Sequence, residues 1–258
     1  MIDIKAVRAL AAQAAMSPLQ AEIYCLENGV VPARYLRNIG TVGIKGQIKL
    51  LSSTVAVCGV GGLGGTIVEL LARQGVGRLI IIDKGRFVEN NLNRQIMATE
   101  ADLRRSKVKV AAQHVKKINS AISVTAVNRT IDRRNAGTLL KGADLVIDAL
   151  DSFATRRIVA DACRKLKIPF IHGAIAGLCG QLATVFPGDK GFESICGSPA
   201  GSDCGLESVT GNPPATPAVI AAWQVQEAVK IITGTGKPLR NRLIFIDFSE
   251  DTFREINL

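Results

Sequence analysis

Four glycines in six positions, Gly59, Gly61, Gly62 and Gly64, come directly after the apolar run Val55–Cys58. An amphipathic stretch from Thr66 to Gln74 comes next, so the segment reads as a buried strand, a tight turn and a helix start. Glycines let a backbone close on a polyphosphate, and the unpaired N–H groups of a helix start attract its charge. Nucleotide binding is the first expectation. Asp83 stands 19 residues past Gly64, at the end of a second apolar run. A carboxylate there can accept ribose hydroxyls, although an acid at a strand end can also be a simple turn residue. These two features fit a nicotinamide dehydrogenase as well as an ATP-consuming enzyme.

The residues beyond Asp83 separate the two. Asn90, Asn91, Leu92, Asn93, Arg94 and Gln95 form a dense polar run, and Lys107 opens the next helical stretch with Lys109 close by. Hydride transfer breaks no phosphate bond and needs no such cluster. Cleavage of ATP between its phosphates needs cations on the oxygens that gain charge. Asp148 and Asp151 end a later apolar run. Asp148 reads as a structural strand-end acid and Asp151 as the carrier of Mg²⁺ through an oxygen ligand.

The elements that must position these residues alternate. Strand-like runs at Val55–Cys58, Leu79–Ile82, Ser123–Val127, Leu145–Ile147 and Phe170–His172 are separated by helical stretches at Leu63–Gln74, Leu103–Ile118, Arg133–Leu140 and Ala154–Leu166. This pattern predicts an α/β fold with a doubly wound, Rossmann-like, mainly parallel sheet. Further strands at Gln181–Phe186, Arg242–Asp247 and Thr252–Ile256 predict an antiparallel C-terminal part. Residues 187–214 read as a long Gly/Ser/Pro/Asp-rich loop, succeeded by a helix, Ala218–Thr233, capped by Thr216 and Pro217 and stopped by Gly234. Residues 1–33 read as an N-terminal helical extension and 34–258 as one domain. The basic, alanine-rich N-terminus mimics a signal peptide, but Asp3 and Gln13 interrupt the pattern.

With 47% hydrophobic and 21% charged residues in 258, a large core is available. No apolar run approaches the ~18 residues of a membrane helix, so the expectation is a cytoplasmic protein without a membrane partner. The six cysteines form no C-x-x-C pair, and no zinc site is expected. Cys58 and Cys163 read as packing residues. The two histidines, His114 and His172, read as surface and structural residues respectively. The net charge of +10 suits an anionic partner, an acidic protein or a nucleic acid, or a solvated basic surface.

Several blocks in order give a specific resemblance: Arg34-Tyr35-Leu36-Arg37-Asn38, GVGGLG at 59–64, Asp83, NNLNRQ at 90–95, Ser106-Lys107-Val108, DALDS at 148–152, and the helix from Ala218 through Ala228. The chain resembles the ThiF/MoeB/HesA family, relatives of ubiquitin-activating enzymes, over about residues 34–235. The resemblance implies adenylation of the C-terminal carboxylate of a small β-grasp sulfur-carrier protein ending in Gly-Gly, in a thiamin or molybdopterin pathway, with ATP consumed and pyrophosphate released. It implies that the glycine turn and Asp83 hold adenosine, that Asn91, Arg94 and Lys107 bind phosphates with Gln95 and Ser152 beside them, and that Asp151 coordinates Mg²⁺. Arg37 would reach the other subunit's site as an arginine finger, so a homodimer is implied. Its alternative, like that of Arg34, is a solvated helix charge. Cys204 stands where some relatives carry a reactive cysteine, the two zinc-binding C-x-x-C pairs of many relatives are missing, and Gly85 replaces an acid often found there. Two other readings remain open on the sequence: a dehydratase acting on tRNA threonylcarbamoyladenosine, and a non-catalytic NAD-binding module.

Overall fold

The computed structural model describes residues 1–196 and 210–258. The chain opens with α1 (Ile4–Gln13) and α2 (Pro18–Glu27), each started by a side-chain cap. Asp3 accepts from the Ala6 N–H, and Ser17 and Gln20 form a reciprocal capping box that satisfies two otherwise orphan donors. This hairpin is bound to the rest of the chain through a buried polar network. The fully buried Tyr35 donates its hydroxyl to Glu22 at 2.9 Å, accepts from Asn119 at 2.8 Å, and stands beside the Arg34–Glu22 ion pair at 3.3 Å. Removing one member of such a buried network costs about 3–5 kcal/mol. Burial pushes the Glu22 carboxyl up, and the Arg34 charge and the Tyr35 hydroxyl oppose this.

Next comes α3 (Leu36–Ser52), to which the sequence reading assigns no bounds. It is two helical pieces joined at Gly43, whose φ of 69° and ψ of 172° interrupt the helix. That region is essentially restricted to glycine. Asn38 and Gln47 meet across the joint, and both donate to the Gln74 carbonyl.

Eight strands form one sheet in the order β3-β2-β1-β4-β5-β6-β7-β8. The parallel part comprises β1 (Thr54–Cys58), β2 (Arg78–Ile82), β3 (Ser123–Val127), β4 (Leu145–Asp148) and β5 (Phe170–Ala176). The strands β6 (Cys179–Val185), β7 (Arg242–Asp247) and β8 (Thr252–Asn257) continue it antiparallel. The central β1 and β4 are buried at every residue, which is why they read as unbroken apolar runs. Their side chains still alternate between faces. Val55, Val57, Leu79, Ile81, Leu145 and Ile147 join the core under α4 (Gly62–Gln74) and α5 (Lys107–Ile118), together with a long C-terminal helix. Ala56, Cys58, Ile82 and Val146 join a second core under α6 (Ala136–Leu140) and α7 (Phe153–Leu166). Helices on both faces make the sheet doubly wound, as expected.

Of the predicted loop 187–214, the described part holds the short helix α8 (Glu193–Cys196). The C-terminal helix is α9 (Ala215–Thr233).

Three helix starts differ from expectation. Arg104 sits at a φ of 67° and Ser106 is extended, so α5 cannot begin at Leu103 and starts at Lys107. The Asp132 carboxylate accepts from the N–H groups of Arg134 and Asn135, and this turn delays α6 to Ala136. α9 begins ahead of its expected cap, and the Thr216 hydroxyl donates across the fold to the Gly177 carbonyl.

Candidate active site: a basic cleft at the carboxyl ends of the parallel strands

The sheet order reverses at β1, whose neighbours are β2 and β4. At such a switch point the connections leave on opposite faces and open a crevice beyond the strand ends. The glycine turn after β1 forms its floor. Gly59 has a φ of 97°, and a β-carbon there would lie 2.4 Å from the Ala149 carbonyl oxygen. A β-carbon on Gly64 would lie 2.0 Å from the Gly59 carbonyl oxygen, so α4 can pack against the turn only without one. Gly61 is different: a β-carbon would meet nothing nearer than the Gln95 amide nitrogen at 4.0 Å. Gly61 faces the cleft and is also the N-cap of α4, where no side chain caps the helix. The first-turn N–H groups of α4 are therefore available to an anion.

Asp83, at the end of β2, accepts from Val60 N–H at 2.7 Å and from Gly85 N–H at 2.6 Å. The carboxylate thus joins the turns after β1 and β2 and keeps further lone pairs toward the cleft it lines. The departure at Gly85 has a local reason, since a β-carbon there would stand 2.9 Å from Asp83 Oδ1.

Across the cleft, Asp148 is fully buried and turned away from it. Its carboxylate meets His172 Nδ1 at 2.8 Å, accepts from Leu150 N–H at 3.0 Å and lies 3.8 Å from Arg156 Nε. Gln181 Nε2 is 3.1 Å from His172 Nε2. The amide donates, so that ring nitrogen accepts, the proton sits on Nδ1, and the imidazole is neutral. Burial pushes the His172 pKa below its ordinary value, which agrees with that state. Asp151, three residues on, is exposed on the cleft lining and has no hydrogen bond or ion pair among the described residues. Ser152 lines the cleft and caps α7 by accepting from Thr155 N–H.

The cleft, about 470 Å³, carries five cations (Lys84, Arg94, Lys107, Arg129 and Arg156) against the two acids Asp83 and Asp151. Arg94 is steadied by the Asn90 carbonyl at 2.7 Å and Asn93 Oδ1 at 2.8 Å, with other guanidinium donors left over. Lys107 leaves the first turn of α5, its ammonium 5.9 Å from the centre of the Phe87 ring. Arg156 donates Nε to the Leu150 carbonyl at 3.0 Å, fixing the Leu150–Asp151 turn. Two buried acceptors on the lining, Gln95 Oε1 and Asn212 Oδ1, have no partner among the described residues. Orphan buried acceptors beside a cationic cleft fit a bound polar ligand that brings its own donors.

The cleft brings together most of the expected residues: Gly59, Gly61, Gly62, Asp83, Arg94, Gln95, Lys107, Asp151 and Ser152. Gly64 lies beneath the turn and serves packing. Asn91 does not reach the lining. It is 6% exposed, accepts from Val88 N–H and donates to Asn90 Oδ1, so it shapes the polar run that presents Arg94. Arg37 is exposed and is not on this cleft of its own chain. Cys204 lies outside the described residues. Lys84, Arg129 and Arg156 were missed; they lie beside a strand end or in a first helical turn, outside the motifs quoted above.

The ThiF family matches residues 35–258. The SAMP-activating enzyme E1 of Haloferax volcanii is 36% identical over 229 residues, covering 86% of this chain and 84% of that protein. The adenylyltransferase and sulfurtransferase MOCS3-1 of Zea mays is 38% identical over 243 residues, 90% of this chain and 51% of that protein. The chain thus spans about half the length of the MOCS3 relative. Among solved structures, E. coli MccB with MccA-N7isoASN superposes with a TM-score of 0.78 at 26% identity, over 87% of this chain and 71% of that one. PaaA, at 21% identity and a TM-score of 0.74, shares the fold.

Proposed function

The chain belongs to the ThiF family, and from that premise we propose that it is an ATP-dependent adenylyltransferase activating the C-terminal carboxylate of a small ubiquitin-like sulfur-carrier protein. The single observation that carries this reading is the cleft: five cations and a helix start surround a glycine with open space before it. A dinucleotide site could use the glycine turn and Asp83, but it gives no work to Arg94 and Lys107 facing that turn.

The chemistry is set by charge. A carboxylate oxygen forms a bond to the α-phosphorus of ATP, the bond from that phosphorus to the bridging oxygen breaks, and pyrophosphate leaves with the electron pair. Arg94 and Lys107 neutralise the oxygens that gain charge; removing one such preorganised partner costs about two to three orders of magnitude in rate. The attacking carboxylate is already ionised near neutral pH, so no general base is required. The histidines accord with that, since His172 is buried and neutral and His114 is paired with Glu69.

Asp83 holds the ribose. Asp151 fits Mg²⁺, which takes one or two carboxylates and fills its remaining positions with substrate phosphates and water. Among the described residues no cluster of three or more His, Cys, Asp or Glu could hold a metal by itself, so a site completed by the triphosphate is the form that suits this cleft. The ion, when bound, screens phosphate charge. A homodimer belongs to the proposal because Arg37 is exposed and off its own cleft, as a residue offered to a second copy must be. No described helix is long and apolar enough to cross a membrane, and cytoplasmic residence, beside the ATP pool, completes the reading.

The test is ATP–pyrophosphate exchange with and without a β-grasp protein ending in Gly-Gly. Carrier-dependent exchange, lost in Lys107→Ala, is expected. Exchange driven by tRNA instead, or NAD binding tighter than ATP–Mg²⁺ binding and unaffected by Lys107→Ala, overturns the proposal.

A further inference from the structure

The charge of the chain is unevenly spread. Residues 107–167 hold thirteen of its 32 Lys and Arg and five of its 22 Asp and Glu, a net +8 of the total +10. Residues 168–258 hold six cations and nine acids, a net −3. Four of the five acids of the basic stretch are committed, the exception being Asp151 on the cleft. Asp132 accepts from its own turn, Asp144 accepts from Thr54 N–H, Asp148 is buried against His172, and Asp161 lies 3.3 Å from Arg164. On the outer side of this stretch, α6 and α7 enclose a groove of about 370 Å³ whose cations are Arg133, Arg134 and Lys165. All three are exposed, and none makes an ion pair among the described residues.

The groove continues from the cleft. Arg129 and Ile131 line the cleft while Arg133 and Arg134, just beyond, line the groove. α7 gives its first turn to the cleft and Ile158, Asp161 and Lys165 to the groove. Its 14 residues span ~21 Å at the usual rise, the scale of a small domain's face. A partner whose tail lies in the cleft can therefore rest its body on this face.

We infer that the α6–α7 face docks an acidic surface of the protein whose C-terminal carboxylate enters the cleft, so the substrate is an acidic globular domain. This rests on the adenylation reading and narrows its partner. The groove offers unpaired cations over aliphatic surface (Ala136, Ile158, Leu166) and no aromatic ring. Single-stranded nucleic acids use aromatic platforms on which bases stack. The missing platform favours a protein surface with carboxylates. Complementary charge of this kind speeds encounter and fixes register, and its effect falls with salt.

The experiment uses the full chain, the triple variant Arg133→Glu/Arg134→Glu/Lys165→Glu, and two forms of a Gly-Gly-terminated β-grasp protein: an acidic one, and the same protein with surface Asp and Glu changed to Asn and Gln. Binding is read by fluorescence anisotropy, and turnover by ATP–pyrophosphate exchange, at low and high salt. The triple variant should bind the acidic protein about tenfold more weakly and raise its KM in proportion, with the KM for ATP unchanged. Salt should weaken binding to the wild type and have little effect on the variant or on the neutralised protein. Anisotropy unchanged between wild type and variant overturns the inference. So does binding of a tRNA probe that the variant loses while binding of the acidic protein is kept. If the triple variant melts at a lower temperature, Arg134→Gln/Lys165→Gln takes its place, with a weakening of about threefold expected and none overturning the inference. Wild-type binding without any exchange leaves the docking face standing and sinks the adenylation reading instead.

Discussion

The two walls of the cleft hold their acids in opposite ways. On the β1–β2 wall, Asp83 is held by two backbone N–H groups from different turns. On the β4–α7 wall, Asp148 takes up the buried contacts, and Asp151 beyond it is exposed and bound to nothing among the described residues. One wall is a finished acceptor whose geometry is set before any ligand arrives. The other presents a carboxylate whose partners must come with the ligand. Preorganisation suits a ribose, which is recognised by fixed hydrogen bonds, and an unclaimed carboxylate suits a cation that arrives with a triphosphate.

The contrast can be broken at several points. The largest effect is expected on the finished wall: Gly64→Ala forces a β-carbon to 2.0 Å from the Gly59 carbonyl and should abolish folded protein, seen as loss of soluble yield. Gly61→Ala, whose β-carbon would meet only the Gln95 amide nitrogen at 4.0 Å, should fold normally and lose ATP affinity. Next comes Asp151→Ala, expected to lower kcat by about two to three orders of magnitude with an unchanged melting temperature. Asp83→Asn should behave differently, turning an amide toward a backbone N–H and costing about 1–3 kcal/mol in chemical denaturation, with a higher KM for ATP. If Asp83→Asn leaves stability intact, the two walls are alike and the contrast fails.

The smallest effect concerns His172. Its folded pKa lies below 6.5, so in acid the unfolded chain binds a proton that the folded chain refuses. Its contribution is complete above about pH 6.5 and is lost as the pH falls toward the folded value. Melting temperatures between pH 7 and 5 should therefore fall less steeply for His172→Gln than for the wild type.

Much of this was legible in the sequence for identifiable reasons. Strands buried on both faces must be continuous apolar runs, so β1, β2 and β4 announced themselves within a residue or two. The glycine turn and Asp83 were legible because their spacing is fixed by one strand–turn–helix–strand unit. By contrast, α3 holds Gly40, Gly43 and Gly46, which dilute a helical pattern, although only Gly43 interrupts the helix. Arg129 and Arg156 were missed because neither belongs to a motif, and only the reversal of strand order brings the end of β3 and the start of α7 to one cleft. The inward turn of Asn91 was not legible because a polar run does not reveal which member shapes the others.

The interruption at Gly43 has a mechanical consequence. Because Gly43 leaves the helical region of φ and ψ, α3 does not behave as one unbroken rod. Asn38 of the first piece donates to Gln47 of the second and both reach the Gln74 carbonyl, while Leu50 and Leu51 are buried in the interior. The two pieces are thus fastened by side chains at the break rather than by a continuous helix, and a change at Asn38 or Gln47 bears on both.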